Sequence, residues 1–174
     1  FKLIVRKASD DSVSKETDWF DNLVLDSGLA QMSVGTWINR CCVGTSNTTP
    51  ATSQTGLVSF LASTTTQQAS RGSLQTTTEP YYRRAITTWR FGAGIVTGNI
   101  AEVGLGWSNT NLWNRALIKD INGNPTTITV LSDEYLDVVS EVREYVTTST
   151  TGSFDLLDKN GVVISTHSVS GSPY

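Results

Sequence analysis

Between Tyr81 and Val146 the chain runs through one candidate β-strand after another, almost without interruption. The run reads Tyr81-Tyr-Arg-Arg-Ala-Ile-Thr-Thr-Trp-Arg-Phe91, then Gly98-Asn-Ile-Ala-Glu-Val-Gly-Leu-Gly-Trp107. Leu112-Trp-Asn-Arg-Ala-Leu-Ile118, Thr126-Thr-Ile-Thr-Val130 and Tyr135 through Val146 follow. The last segment is long enough for a helix. Its Leu136, Val138, Val142 and Val146, with Tyr135, Val139 and Tyr145, nevertheless fit the strand period of two better than the helical period of about 3.6. Its β-branched content agrees. A chain built this way has few options beyond stacked antiparallel sheets.

The rest of the sequence supports that reading. The 174 residues suit one domain, read here as 1–174, and can bury a core without disulfides or metals. Apolar content is 38%, and 25 Thr and 20 Ser fill much of the remainder, which favours strands and turns. We therefore expect an all-β fold, an antiparallel two-sheet β-sandwich, with a jelly roll as one form of it. Further strands are expected at Phe1–Lys7, Trp19–Leu25, Thr36–Val43 and Leu57–Ala62, and a helical turn at Leu29–Val34. Gly44–Thr55 reads as a loop. Ser63–Glu79, polar and without an apolar period, reads as an exposed loop or an extended arm. Two hairpins are signalled by Asn-Gly turns. One joins Ala116–Ile118 to Ile128–Val130, and the other joins Phe154–Leu157 to Val162–Ser165. Residues 1–18 and 148–174 are candidate arms or hairpin extensions.

Several functions lack the residues they need. The net charge of −3 does not suit a nucleic-acid binder. No apolar run is long enough to span a bilayer. The start, Phe1-Lys-Leu-Ile-Val-Arg-Lys, is too short and charged for a signal peptide, and without a Met it suggests a processed or truncated chain. A single histidine, His167, and two adjacent cysteines, Cys41 and Cys42, offer no zinc-ligand spacing, so no metal or cofactor is expected. The cysteines are read as free thiols, one of them in the core. His167 reads as a surface residue, with no nucleophile motif beside it. Gly104-Leu-Gly106 lacks the third glycine of a dinucleotide fingerprint and reads as small residues at close strand packing.

Three groups remain as candidate contacts. Trp107, followed by Ser-Asn-Thr-Asn with Asn109 and Asn111, has the make-up of a sugar-stacking loop. Arg83 and Arg84 lie in a stretch, Arg71–Arg90, with four positive charges and one negative. Asp137 and Glu141 lie in Asp133–Glu144, with five negative charges and one positive. The acidic stretch reads as a solvated strand face, with a glycosidase-type carboxylate pair as the sharper reading. The two stretches have the charge to pair inside the fold or between neighbouring copies.

Trp89-Arg-Phe-Gly-Ala-Gly, Gly98 through Trp107, Asn114-Arg-Ala-Leu-Ile-Lys-Asp120 and Gly123 through Val138 are similar to a family of tailed-bacteriophage virion proteins. Asp21-Asn-Leu-Val-Leu-Asp-Ser-Gly28 and Cys42-Val-Gly-Thr45 agree, so the resemblance spans about residues 19–146. It implies a structural protein without catalytic residues, associated with the tail at the baseplate, tail tip, collar or a fibre attachment point. It further implies assembly in a bacterial cytoplasm, location in the virion, and contacts with other virion proteins and with copies of itself. A receptor- or host-glycan-binding module around Trp107, a capsid decoration protein, and a glycan depolymerase using Asp137 or Glu141 are the alternatives.

Overall fold

The computed structural model describes residues 1–145 and 150–171, and the chain in it is nearly all β. The elements are β1 (Lys2–Lys7), β2 (Val13–Glu16), β3 (Leu23–Val24), α1 (Asp26–Met32), β4 (Arg40–Gly44), β5 (Phe60–Thr64), β6 (Gln67–Gln75) and β7 (Tyr82–Phe91). They continue with β8 (Gly98–Ile100), β9 (Glu102–Gly106), β10 (Asn114–Leu117), β11 (Ile128–Val130), β12 (Glu134–Tyr145), β13 (Thr150–Leu157) and β14 (Val163–Gly171). One five-stranded sheet has the order β2-β1-β12-β7-β6 and a second the order β3-β10-β9-β4-β5. β11–β8 and β13–β14 form two-stranded sheets. The expected all-β class and packed antiparallel sheets are therefore present.

The chain divides into two compact units. Unit 1 comprises Phe1–Ser70 and Ile86–Glu141, and unit 2 comprises Arg71–Ala85 and Val142–Tyr174. Unit 1 holds the core. Leu3 and Val5 of β1 face inward, in register with Val138 and Leu136 of β12, and all four are fully buried. Each such side chain contributes roughly 1.5–3 kcal/mol. Trp89 is buried with its indole N–H donating to Ser140 Oγ at 3.0 Å, so its one polar atom is satisfied. Residues 1–18 carry β1 and β2, which form an antiparallel hairpin within the first sheet.

β9 is buried along its whole length, and its glycines explain how. A Cβ on Gly104 would lie 2.5 Å from the Asn114 carbonyl oxygen, and one on Gly106 2.3 Å from that of Asn111. The glycines serve close strand approach, and β10, not a helix, is the next element.

Tyr135–Tyr145 is strand as expected, while Val146 lies outside the described residues. Other expectations need correction. The Asp120–Pro125 turn closes, with the Asp120 N–H bonded to Asn124 O and Thr126 N–H to Ile118 O, both at 2.9 Å. Its flanking strands then part, however, β10 pairing with β9 and β3, and β11 with β8. A turn motif specifies the reversal but not the partner of each strand. Ser63–Glu79 is not a loop: it carries the end of β5 and the edge strand β6. Backbone pairing needs no apolar side chain, so the missing period concealed it. Both cysteines are buried, because β4 lies between β9 and β5 with both faces covered. The expected strand Trp19–Leu25 shrinks to Leu23–Val24, and Trp19 is exposed.

Candidate interaction surfaces

One end of unit 1 is organised by a buried ion pair. Arg115 of β10 and Glu102 of β9 are both fully buried, with Arg115 Nε donating to Glu102 Oε2 at 2.8 Å. The other guanidinium nitrogens donate to Gln54 Oε1 at 2.9 Å and to the Thr48 carbonyl at 2.7 Å. Glu102 accepts the backbone N–H groups of Ser59, Val58 and Ser46 at 2.7, 3.2 and 3.3 Å. The pair therefore fixes the polar loop 45–59, as buried charges must when their remaining donors and acceptors need partners. Sequence reading missed it. The available signal was one acid and one arginine, each inside an otherwise apolar strand, where an unpaired charge is hardly ever tolerated.

The Trp107 loop lies nearby. The Leu112 N–H reaches Thr55 O at 2.7 Å, tying the two loops together. Trp107 is half-buried. Ser108 Oγ accepts from the backbone N–H groups of Thr110 and Asn111 and from Asn111 Nδ2. Asn109 Oδ1 accepts from Arg40 at 2.6 Å and Ser63 at 2.8 Å. These polar groups are largely engaged in shaping their own loop. On the same unit Trp37 and Trp113 meet edge to face at 4.8 Å, and the Trp113 indole N–H points at Met32 Sδ at 3.3 Å.

The acid-rich stretch is a solvated face only in part: Asp133 and Glu144 are exposed, while Glu134 and Asp137 are buried. Asp137 is buried, and both its oxygens are held. Arg90 donates to them through Nε and a terminal nitrogen, each at 2.7 Å, and Arg6 Nε donates at 3.2 Å. Bonding to Asp137 raises the pKa of Arg90. Glu141 is half-buried further along β12. A carboxylate clamped by two guanidiniums is poorly placed to act as nucleophile or base, so of the two carboxylates named for a depolymerase Asp137 is unsuited to the role. Arg83 is exposed on β7, and Arg84 donates to Ser73 Oγ at 2.6 Å.

Glu134 is buried at the start of β12 and accepts from Ser14 Oγ, the Leu131 N–H and Lys15 Nζ at 2.5, 2.9 and 3.3 Å. These donors, Ser14 foremost, hold its carboxyl below its ordinary value. Such a group binds fewer protons folded than unfolded. Its stabilisation is present above the unfolded-state value of about 4.3 and is lost as pH falls through the lower folded value. Glu134→Gln is therefore expected to flatten the fall in urea midpoint between about pH 5 and pH 3. Parallel pH profiles for the two proteins would refute this assignment.

An open groove of about 420 Å³ is lined by Lys15, Glu16, Asp18, Lys119, Asp120 and Thr126–Thr129, among others. Its charges are of both signs, no aromatic ring lines it, and Lys15 is already held by Thr129 O and Glu134. Among the described residues no group of three His, Cys, Asp or Glu side chains is placed to hold a metal. No helix among the described residues is long and apolar enough to cross a membrane.

Unit 2 has a different character. Among its described residues none is buried. β13 and β14 form a ribbon closed by an Asp-Lys-Asn-Gly turn, as the sequence suggested. Asp158 Oδ1 accepts the Asn160 and Val162 N–H groups at 2.8 and 2.9 Å, and Gly161 supplies the positive φ of 83°. Residues 148, 149 and 172–174 of the expected extension lie outside the described residues. His167 is exposed and stacks on Phe154, with ring centroids 5.3 Å apart. Elsewhere in unit 2 Tyr82 meets Tyr145 at 5.5 Å, and the Arg143 guanidinium lies over the Tyr82 ring at 4.9 Å.

Comparison with protein-family models, curated proteins and solved structures finds no match to this chain.

Proposed function

We propose that this chain is a non-catalytic structural component of a bacteriophage virion, associated with the tail, that docks to other virion subunits and recurs by particle symmetry. The observation that carries the docking part is unit 2, a β-structured unit without a buried side chain among its described residues. Two-stranded β-structure in water is marginal until an apolar face is covered, so such a unit makes physical sense as one that completes its core in an assembly. The resemblance of residues 19–146 to tailed-phage virion proteins supplies the setting. The particle-wide role has its rigid base in unit 1, where the network around Glu102 and Arg115 fixes loops without presenting reactive groups.

The test is quantitative mass spectrometry of density-gradient-purified phage particles from a host producing this chain. The expected result is a fixed whole-number copy count relative to the major capsid protein. That count separates a tail ring or fibre from a capsid decoration protein. Loss of the chain from particles at the gradient step, with the other tail proteins retained, would overturn the reading.

A further inference from the structure

We propose that Met32 is an oxidative modification site that takes a peroxide as co-substrate, with Trp113 as the group that both slows the reaction and registers it. Met32 is the one methionine of the chain, and it ends α1 with 46% of its surface exposed. A thioether left half in water is within reach of dissolved oxidants. Its sulfur is also engaged. The Trp113 indole N–H donates to Sδ at 3.3 Å, and Trp37 packs edge to face on Trp113 at 4.8 Å. The other two sulfurs are withdrawn from the same chemistry. Cys41 and Cys42 are buried, and burial pushes their thiols up, Cys42 to about 12, away from the reactive thiolate.

In the step, a sulfur lone pair attacks one peroxide oxygen. The S–O bond forms, the O–O bond breaks, and the departing hydroxide takes the remaining peroxide proton and leaves as water. Sulfur loses two electrons and the peroxide gains them, so the thioether becomes a sulfoxide. Before the step, the Trp113 N–H draws electron density from the sulfur and slows the attack. After it, the new oxygen is a better acceptor than the thioether was, so the N–H transfers to the oxygen. The added atom has to be accommodated at the end of α1, because the start of that helix has no room to move. There the Leu25 N–H is bonded to Trp113 O at 2.9 Å, and a Cβ on Gly28 would lie 2.3 Å from the same oxygen. The displacement therefore falls on the last turn. Beyond it the Ser33, Val34 and Gly35 N–H groups bond back to Ala30 and Gln31, and the chain leads on to Trp37. Both tryptophans of the pair are thus placed to respond.

Peroxide acts on the isolated chain, so the outcome is independent of the virion reading above. Dilute hydrogen peroxide is added to the whole folded chain, and the reaction is followed by peptide mass spectrometry and by tryptophan emission. Met32 should gain one oxygen atom, and the emission should change with the same time course. Met32→Leu should show neither. Trp113→Phe keeps a ring beside the sulfur but lacks the N–H. Its Met32 should oxidise about two- to tenfold faster, the factor that a sulfur–aromatic contact corresponds to. Far-UV dichroism reports whether that variant folds. If it does not, the emission of peroxide-treated wild type against Met32→Leu decides. No uptake at Met32, under conditions that fully oxidise the urea-unfolded chain, overturns the proposal. Uptake with unchanged emission overturns it too, as does a folded Trp113→Phe that reacts no faster than wild type.

Discussion

Replacing Arg115 by Met is expected to cost about 3–5 kcal/mol of folding stability. The methionine keeps much of the apolar length, so the loss is chiefly electrostatic. It strands the fully buried Glu102 carboxylate, which has no solvent to turn to. Three backbone N–H groups still donate to that carboxylate, which places the cost nearer the lower end of the range. The Gln54 side chain and the Thr48 carbonyl lose a donor at the same time. A double variant, Glu102→Leu with Arg115→Met, separates charge from loop anchoring. It removes the stranded charge but also the acceptor of the Ser46, Val58 and Ser59 N–H groups, each worth about 1–3 kcal/mol if left unsatisfied. Recovery should therefore be partial, and loop 45–59 should become a site of early proteolytic cleavage. Urea denaturation followed by dichroism measures the first effect and limited proteolysis the second. A single-variant loss under about 1 kcal/mol, the scale of an exposed pair, would mean that the pair does not anchor the loop.

Strand content was the legible part of this fold, because alternation and β-branching are local properties. The long segment from Tyr135 was correctly a strand, and the Asn-Gly turn at Asn160 correctly closed a hairpin. Strand partners were not legible. Ile128–Val130 pairs with Gly98–Ile100 across almost thirty residues rather than with its neighbour across the turn, and no local signal encodes that choice. Buried charge was the other blind spot. Glu102, Arg115, Glu134 and Asp137 look hydrophilic as residue types, and only three-dimensional neighbours make them interior.

Asp137→Asn should destabilise the protein by about 2–3 kcal/mol, less than a fully buried pair because the arginines keep contact with water. Asp137 is 4% exposed, while Arg6 and Arg90 are each 26% exposed. Asparagine preserves the shape but offers one acceptor oxygen in place of two. Its amide must then point N–H groups at a guanidinium that has only donors to offer. Arg90 retains the Tyr135 ring, 4.1 Å from its guanidinium carbon, and Asp11 at 3.7 Å, so it stays ordered and the loss is bounded. Adding Arg90→Met to the variant should recover part of the stability by removing one of two facing cations, and denaturation of the double variant measures that recovery. No recovery would show that repulsion between Arg6 and Arg90 is not the source of the cost. The consequence reaches assembly. The triad joins β1, β12 and β7, adjacent strands of one sheet, so it pairs Arg90, the end of the basic stretch, with Asp137 of the acidic one inside the fold. Contacts between copies that relied on those stretches would weaken sharply in salt.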